Sequence, residues 1–316
     1  MEYQRFMTNL GSLLRKKGFL VLLAVSTMLF WGYRSLELRL QDHAYQTVLS
    51  DNPFGYEPEF FRKTVDDRPL RYLEIGPERG PLIVFIHGAP SSSLFWQNML
   101  RDSSLLAQAR LMAIDRPGYG YSGYGRPIVS VRRQARYVAE ILQEKAHIHA
   151  NIVVHGSSYG GTVAARLAMD YPDLIDGLLL QSSSLKPGAE KTYWISYPTH
   201  HWALRWLMPG SIRTANAEKL SHREQLLDML PGWSRIRAAA IILHGTDDDL
   251  IYPDNALFAY RKMVNASYRD IKMLAERKHD LLWTKTDLLK RSLSKLLRIT
   301  QSVEDTAGSR PIGVGK

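Results

Sequence analysis

The chain has 316 residues, 45% hydrophobic and 23% charged, an ordinary globular composition with enough length for one large core. It contains no cysteine, which excludes thiol catalysis, disulfides, thiolate zinc sites and iron–sulfur clusters together. The formal net charge of +10 would suit nucleic acid or an anionic surface, but Lys and Arg are interleaved with acids and no nucleic-acid-binding motif is present. No nucleic-acid partner is expected.

Residues 1–17 carry Arg5, Arg15, Lys16 and Lys17 against Glu2, and then Gly18 to Tyr33, GFLVLLAVSTMLFWGY, runs without a charge up to Arg34. As a helix this run covers about 24 Å, slightly less than a hydrocarbon core of about 30 Å, with Lys17 and Arg34 snorkelling across the difference. Trp31 and Tyr33 suit an interfacial belt. The expectation is a transmembrane signal anchor over 18–34 with a cytoplasmic amino terminus and the body on the other side, the periplasm in a bacterium. Two alternatives stand beside it. Ala24-Val25-Ser26 has the small-residue spacing of a signal-peptide cleavage site, and the run could also be an ordinary packed helix.

Residues 35–59 read as a linker that starts with the amphipathic SLELRLQ and ends in turn residues at Asp51, Asn52, Pro53 and Gly55. From residue 60, short apolar runs alternate with amphipathic ones. Strands are expected at Arg71 to Ile75, Leu82 to Ile86, Leu111 to Ile114, Ile152 to Val154, Leu178 to Gln181, Ile241 to Leu243 and Ile271 to Leu274. Helices are expected around Val131 to Lys145, Gly161 to Met169, Asn255 to Val264 and Asp287 to Ile299. This alternation predicts an α/β core over 60–185 and 238–300, a mostly parallel sheet with helices on both faces. A helical insertion over 186–237, with Trp194, Trp202, Trp206 and Trp233, is placed to act as a lid. The tail 301–316 has no periodicity and is expected to be disordered.

The stretch HGSSYGG follows the strand candidate Ile152 to Val154 and opens a helix, and Gly156 to Gly160 matches G-x-S-x-G. A serine on so sharp a strand-to-helix turn has a strained backbone, and the positions two before and two after it crowd each other, so both need glycine. That selects Ser158 as nucleophile, with Tyr159 offering its backbone N–H at the helix start as an oxyanion donor. Ser157 is the weaker choice, because its flanking positions are His155 and Tyr159.

Earlier, FIHGAPSSSLFW ends a strand at His87-Gly88-Ala89-Pro90, and this resembles the H-G-x-P oxyanion loop of the α/β-hydrolase superfamily. IDRPGYGYSG, from Ile114 to Gly123, is similar to the D-x-x-G-x-G-x-S stretch of the same family. The resemblance implies an α/β-hydrolase fold with a sheet of the eight-stranded type and a small helical lid, covering about Leu70 to Leu289. It also implies Ala89 N–H as the second oxyanion donor, with Asp115 and His87 as scaffold. In the family the acid follows the serine and the histidine follows the acid, which sets Asp115 aside. The acid loop there reads G-x-x-D, then an aliphatic residue and Pro. Counting from Gly245 in HGTDDDLIYP gives Asp248, with Asp247 and Asp249 as alternatives; the competing structural role for these carboxylates is to cap the next helix or stay solvated. The base then falls at His279, the only histidine after Asp248, although Lys278 stands where the family usually has glycine.

The implied activity is acyl transfer to water through a Ser158-Asp248-His279 triad on a small apolar acyl or aromatic substrate, without a cofactor. The loop HGAPSSSLFW is also similar to those of haloalkane dehalogenases and epoxide hydrolases, which carry aspartate where this chain has Ser158. His155 and His244 read as packing or loop-bonding groups, and His147, His149, His200 and His201 lack the further ligands a metal needs. The alternative from another class is a non-catalytic protein that uses the hydrolase fold to bind a ligand.

Overall fold

The computed structural model describes residues 20, 23–28, 32, 38–189, 194, 196–202 and 204–307, and the chain divides into two units, Met1–Leu38 and Arg39–Lys316. Within the first unit residues 23–28 are helical, and the Thr27 hydroxyl donates to the Leu23 carbonyl at 2.8 Å. Most of the proposed anchor at 18–34, and all of 1–17, lie outside the described residues. Among the described residues no helix is long and apolar enough to cross a membrane.

The second unit is an eight-stranded sheet: β1 (Glu59–Val65), β2 (Arg68–Ile75), β3 (Leu82–Ile86), β4 (Arg110–Ile114), β5 (Ile152–Ser157), β6 (Gly177–Gln181), β7 (Ala239–Gly245) and β8 (Arg269–Leu274). In space they run β1-β2-β4-β3-β5-β6-β7-β8. The first two pairings, β1 with β2 and β2 with β4, are antiparallel, and all the others are parallel. Strands β3 to β7 are buried from end to end, as a sheet covered on both faces requires.

Alternation along each strand divides the core. On one face Leu82, Val84 and Ile86 meet helices α2 (Val131–Lys145), α3 (Tyr159–Asp170) and, further along the sheet, α5 (Asp254–Lys262). On the other face Ile83 and Phe85 meet α1 (Asp42–Leu49) and α6 (Thr286–Ala307). The long insertion helix α4 (Gly210–Met229) packs above the first face.

The boundaries differ from the sequence reading in three places. The stretch read as linker contains α1, whose Tyr45 and Leu49 are fully buried, because Asp42 in its first turn pairs with the buried Arg71 at 2.7 Å. The core unit therefore begins at Arg39 and not at residue 60. Strand β1 was not expected. It joins β2 through Asp66 and Asp67, both at positive φ (47° and 58°), the backbone a two-residue hairpin turn needs. At the far end α6 continues to Ala307, inside the stretch expected to be disordered, while 308–316 lie outside the described residues.

The described part of the insertion is helical over Ser196–His200, Arg205–Leu207 and Gly210–Met229, and an ion pair with no solvent exposure ties it to the core. Arg116, just after β4, donates to both carboxylate oxygens of Glu218 on α4, at 2.6 and 3.2 Å. Tyr119 and Gln134 complete that carboxylate's hydrogen bonds, so the buried charges are satisfied.

Among the described residues five histidines are buried, and the three most strongly perturbed are His87 after β3, His155 in β5 and His222 on α4. Burial pushes His155 and His222 down to about 3, and it holds His87 well below its ordinary value. They are neutral in the native state, whereas the unfolded chain protonates its histidines near pH 6.5. Stability should be complete above about pH 6.5 and decline as pH falls from there toward about 3. Urea unfolding midpoints taken at successively lower pH should drop below about pH 6.5, and midpoints that hold level or rise on acidification would contradict the neutral burial.

Candidate active site

Strand β3 lies between β4 and β5, so successive connections leave it in opposite directions and open a crevice beyond the carboxyl ends of the strands. The loops after β3 and β5 meet there. Ser158, directly after β5, has φ 55° and ψ −123°, a conformation an L residue holds only when its surroundings enforce it. Its N–H donates to the Gln181 carbonyl at 3.0 Å, and its own carbonyl accepts from Gly161 N–H at 3.0 Å.

The two glycines of the motif have a visible cause. A Cβ on Gly156 would stand 2.6 Å from the Gly160 oxygen, and one on Gly160 would collide with the Ile86 and His87 carbonyls. Gly88 serves the approach from the other side, since a Cβ there would lie 2.9 Å from Ser158 Cβ. Ser157 is the last residue of β5, paired with Gln181 and buried.

The HGAP loop is held by its histidine. His87 Nδ1 donates to the Gly88 carbonyl at 2.7 Å, while Nε2 accepts the Arg116 N–H at 3.0 Å, so one tautomer satisfies both. The Arg116 side chain also bonds the carbonyls of His87 and Gly88. Asp115 is scaffold as expected: its carboxylate accepts from Ser93 N–H at 2.8 Å and Tyr121 N–H at 3.0 Å, and it pairs with Arg71.

The triple-aspartate loop after β7 places only Asp248 inward; Asp247 and Asp249 are exposed. Asp248 Oδ1 accepts the N–H groups of Leu250 and Ile251, and Oδ2 accepts His279 Nδ1 at 2.7 Å. Burial opposes its charge, but the hydrogen bond and positive field of His279, with the Ile251 N–H, outweigh it and hold the carboxyl below its usual range. The loop after β8 is stitched to the acid loop by backbone bonds, Thr246 N–H to Leu274 O at 3.0 Å and Asp247 N–H to Arg277 O at 2.9 Å. His244 lies 3.6 Å from Asp248 Oδ2 but is engaged with the Ile251 carbonyl at 2.8 Å, the loop-bonding role expected of it.

A cavity of about 400 Å³ opens over these loops, walled by Ala89, Pro90, Ser158 and Tyr159 from the core and by Leu250 and Ile251 from the acid loop. Ala89, Ser158 and Tyr159 therefore share one space. Tyr159 is the first residue of α3, where helix geometry leaves the N–H without an intrahelical acceptor. The lid supplies the opposite wall through Met208, Ile212, Ala215, Asn216, Lys219 and His222. His222 Nε2 meets the Ser184 hydroxyl at 2.9 Å, which pins that wall to the loop after β6.

The sequence reading missed this wall. Its signal is the spacing 212, 215, 216, 219 and 222, one stripe of a helix, although its mixed polarity hides the period. The tryptophans of the insertion expected to act as a lid do not wall the cavity: Trp233 is buried in the core, and Trp194, Trp202 and Trp206 are exposed. The short turns around Ser196–His200 and Arg205–Leu207 direct Ser196 and Thr199 toward the cavity and leave the rings outside.

The family description "alpha/beta hydrolase fold" matches residues 81–280. The chain is 32% identical over 124 residues to a haloalkane dehalogenase of Bradyrhizobium diazoefficiens, covering 39% of this chain and 38% of that protein. It is 33% identical over 127 residues to a putative carbamate hydrolase of Variovorax paradoxus, covering 38% and 45%. The aligned stretches thus span less than half of these relatives' own length. A putative aryl esterase of Burkholderia cenocepacia superposes with TM-score 0.63 at 22% identity, over 77% of this chain and all of that one. A membrane phospholipase A, described as a bacterial virulence factor, superposes with TM-score 0.59 at 18% identity over 94% of this chain and 99% of that one. With a family match that runs from β3 through β8 and takes in the loops after β3, β5, β7 and β8, the chain belongs to the α/β-hydrolase fold family.

Proposed function

We propose that this chain is a serine hydrolase that cleaves a carboxylic ester, or a thioester or amide, through an acyl-enzyme. The observation that carries the reading is the 2.7 Å pair of Asp248 and His279 on two stitched loops, at the end of the sheet where Ser158 is held in its strained turn. With Nδ1 committed to Asp248, the imidazole offers Nε2 as the base.

In the proposed reaction Nε2 takes the Ser158 proton as Oγ attacks the substrate carbonyl carbon, and the Asp248 carboxylate stabilises the imidazolium. The negative oxygen is held by the backbone N–H groups of Ala89 and Tyr159. As the tetrahedral intermediate collapses, the imidazolium protonates the departing alcohol, thiol or amine. Water then repeats the sequence on the acyl-enzyme and frees Ser158. The wall of Ala89, Pro90, Met208, Ile212, Leu250 and Ile251 favours an apolar acyl or aromatic group. A Ser158 at the turn, where dehalogenases and epoxide hydrolases carry aspartate, favours acyl transfer over attack on a carbon–halogen or epoxide bond.

We further propose that residues 18–34 anchor the protein in a membrane with the amino terminus cytoplasmic and the catalytic domain extracytoplasmic. Supporting this, Leu20, Leu23, Val25 and Met28 are exposed apolar side chains, and basic residues flank the stretch. The fold likeness to a membrane phospholipase A agrees with a lipid-derived ester as substrate.

Turnover of p-nitrophenyl esters of graded chain length should be lost by up to about a millionfold in Ser158→Ala. Equal and negligible turnover in both proteins would contradict the reaction and favour a ligand-binding protein. Deletion of residues 1–34 should move the protein from the membrane fraction to the soluble one at high salt, where charge-dependent adsorption is screened. A mature chain beginning after Ser26 would instead establish a cleaved signal.

A further inference from the structure

The lid has two parts of different character. Helix α4 is fixed to the core by Glu218 and His222, whereas the stretch before it carries large rings on the outside. Trp194 is 78% exposed, Tyr197 64%, Trp202 74% and Trp206 68%. Tryptophan is ordinarily among the better buried side chains, so three exposed within thirteen residues need an explanation. Together the four rings present roughly 500 Å² of aromatic surface, near the upper end of what a monomer leaves exposed.

These rings interleave in sequence with Ser196, Thr199 and Met208, which wall the cavity over Ser158. Whatever covers the rings therefore lies on the same stretch of chain that walls the cavity. The same stretch is basic in sequence: between residues 186 and 213 stand Lys186, Lys191, Arg205 and Arg213 against the single acid Glu190. Lys186 pairs with Asp254 at 2.8 Å and Arg213 bonds the Gly125 carbonyl, so Arg205, beside Trp206, is the cation nearest the rings in sequence. Tryptophan and tyrosine with an excess of Lys and Arg is the composition that settles at the headgroup level of an anionic bilayer.

We propose that the aromatic face of residues 194–206 docks on an anionic lipid surface, so that an amphiphile passes from the bilayer directly into the cavity. The choice of a lipid surface over a protein partner rests on the hydrolase reading. A mostly apolar cavity walled by the same stretch suits an apolar substrate, and a bilayer holds apolar acyl chains against the exposed rings. The docking is separate from the proposed anchor, since it uses different residues and a charge-dependent contact.

The test uses the full-length protein reconstituted in vesicles of phosphatidylcholine and phosphatidylglycerol with brominated acyl chains, which quench tryptophan only on contact. The Trp194→Ser/Trp202→Ser/Trp206→Ser variant should be quenched by a smaller fraction than the unmodified chain, because the emission it lacks is emission the lipid reaches. That difference should shrink in phosphatidylcholine alone and at high salt. Equal fractional quenching of the two proteins in the anionic vesicles would overturn the proposal. So would equal quenching with a change of oligomeric mass in the variant, which would assign the face to a second copy of the chain. Turnover of a short, water-soluble p-nitrophenyl ester should stay within about twofold in the variant, as expected of surface substitutions outside the cavity wall. If neither protein turns that ester over, the hydrolase reading fails, while the quenching result still decides the docking.

Discussion

The backbone of Ser158 is the constraint on which the site depends. A serine at φ 55° costs on the order of 1–3 kcal/mol, and it persists only because its surroundings leave no alternative. Gly156 and Gly160 pass within van der Waals contact of each other, Gly88 lets the HGAP loop close against Ser158 Cβ, and the Gln181 carbonyl of β6 takes the serine N–H. The strain aims one side chain into the crevice and starts α3 with the Tyr159 N–H beside it. The sheet order puts the Ala89 loop on the adjacent strand, so the proposed nucleophile and both proposed oxyanion donors come from neighbouring strand ends.

The proposed acid and base, Asp248 and His279, are positioned differently, by loops bonded to each other. The Asp248 carboxylate is occupied on Oδ1 by two N–H groups of its own loop, which leaves Oδ2 to fix the imidazole. The lid is then held over the site by the Arg116–Glu218 pair. The same guanidinium bonds the His87 and Gly88 carbonyls, so a single buried cation links the oxyanion loop to the lid wall. Its planar, permanently charged fork is what makes so many simultaneous contacts possible.

Much of this was legible in the sequence, because fully buried parallel strands read as plain apolar runs. Leu82 to Ile86 matches the observed strand end for end, and the other six expected strands lie within observed ones. The glycine pair of the turn was readable because a steric clash dictates it, and the family loop pattern singled out of three aspartates the one that the structure buries against His279. Strand β1, EFFRKTV, was not legible. It is a half-exposed edge strand whose charges hide the period, and charge on an edge is how natural sheets avoid pairing with strangers. Helix α1 was missed because its fold depends on Asp42 meeting Arg71, a partner far along the chain. The lid tryptophans misled for a related reason: composition shows that a stretch is aromatic, but only the path of short turns decides which side the rings take.

The most direct measurement is the mass spectrum of a fluorophosphonate adduct, since such a reagent captures a serine only where a base activates it in reach of oxyanion donors. One adduct per chain on the Ser158 hydroxyl, lost in His279→Ala although the protein remains folded, is the predicted result. An adduct on Ser157, or labelling of Ser158 that persists without His279, would contradict the assignment of nucleophile and base.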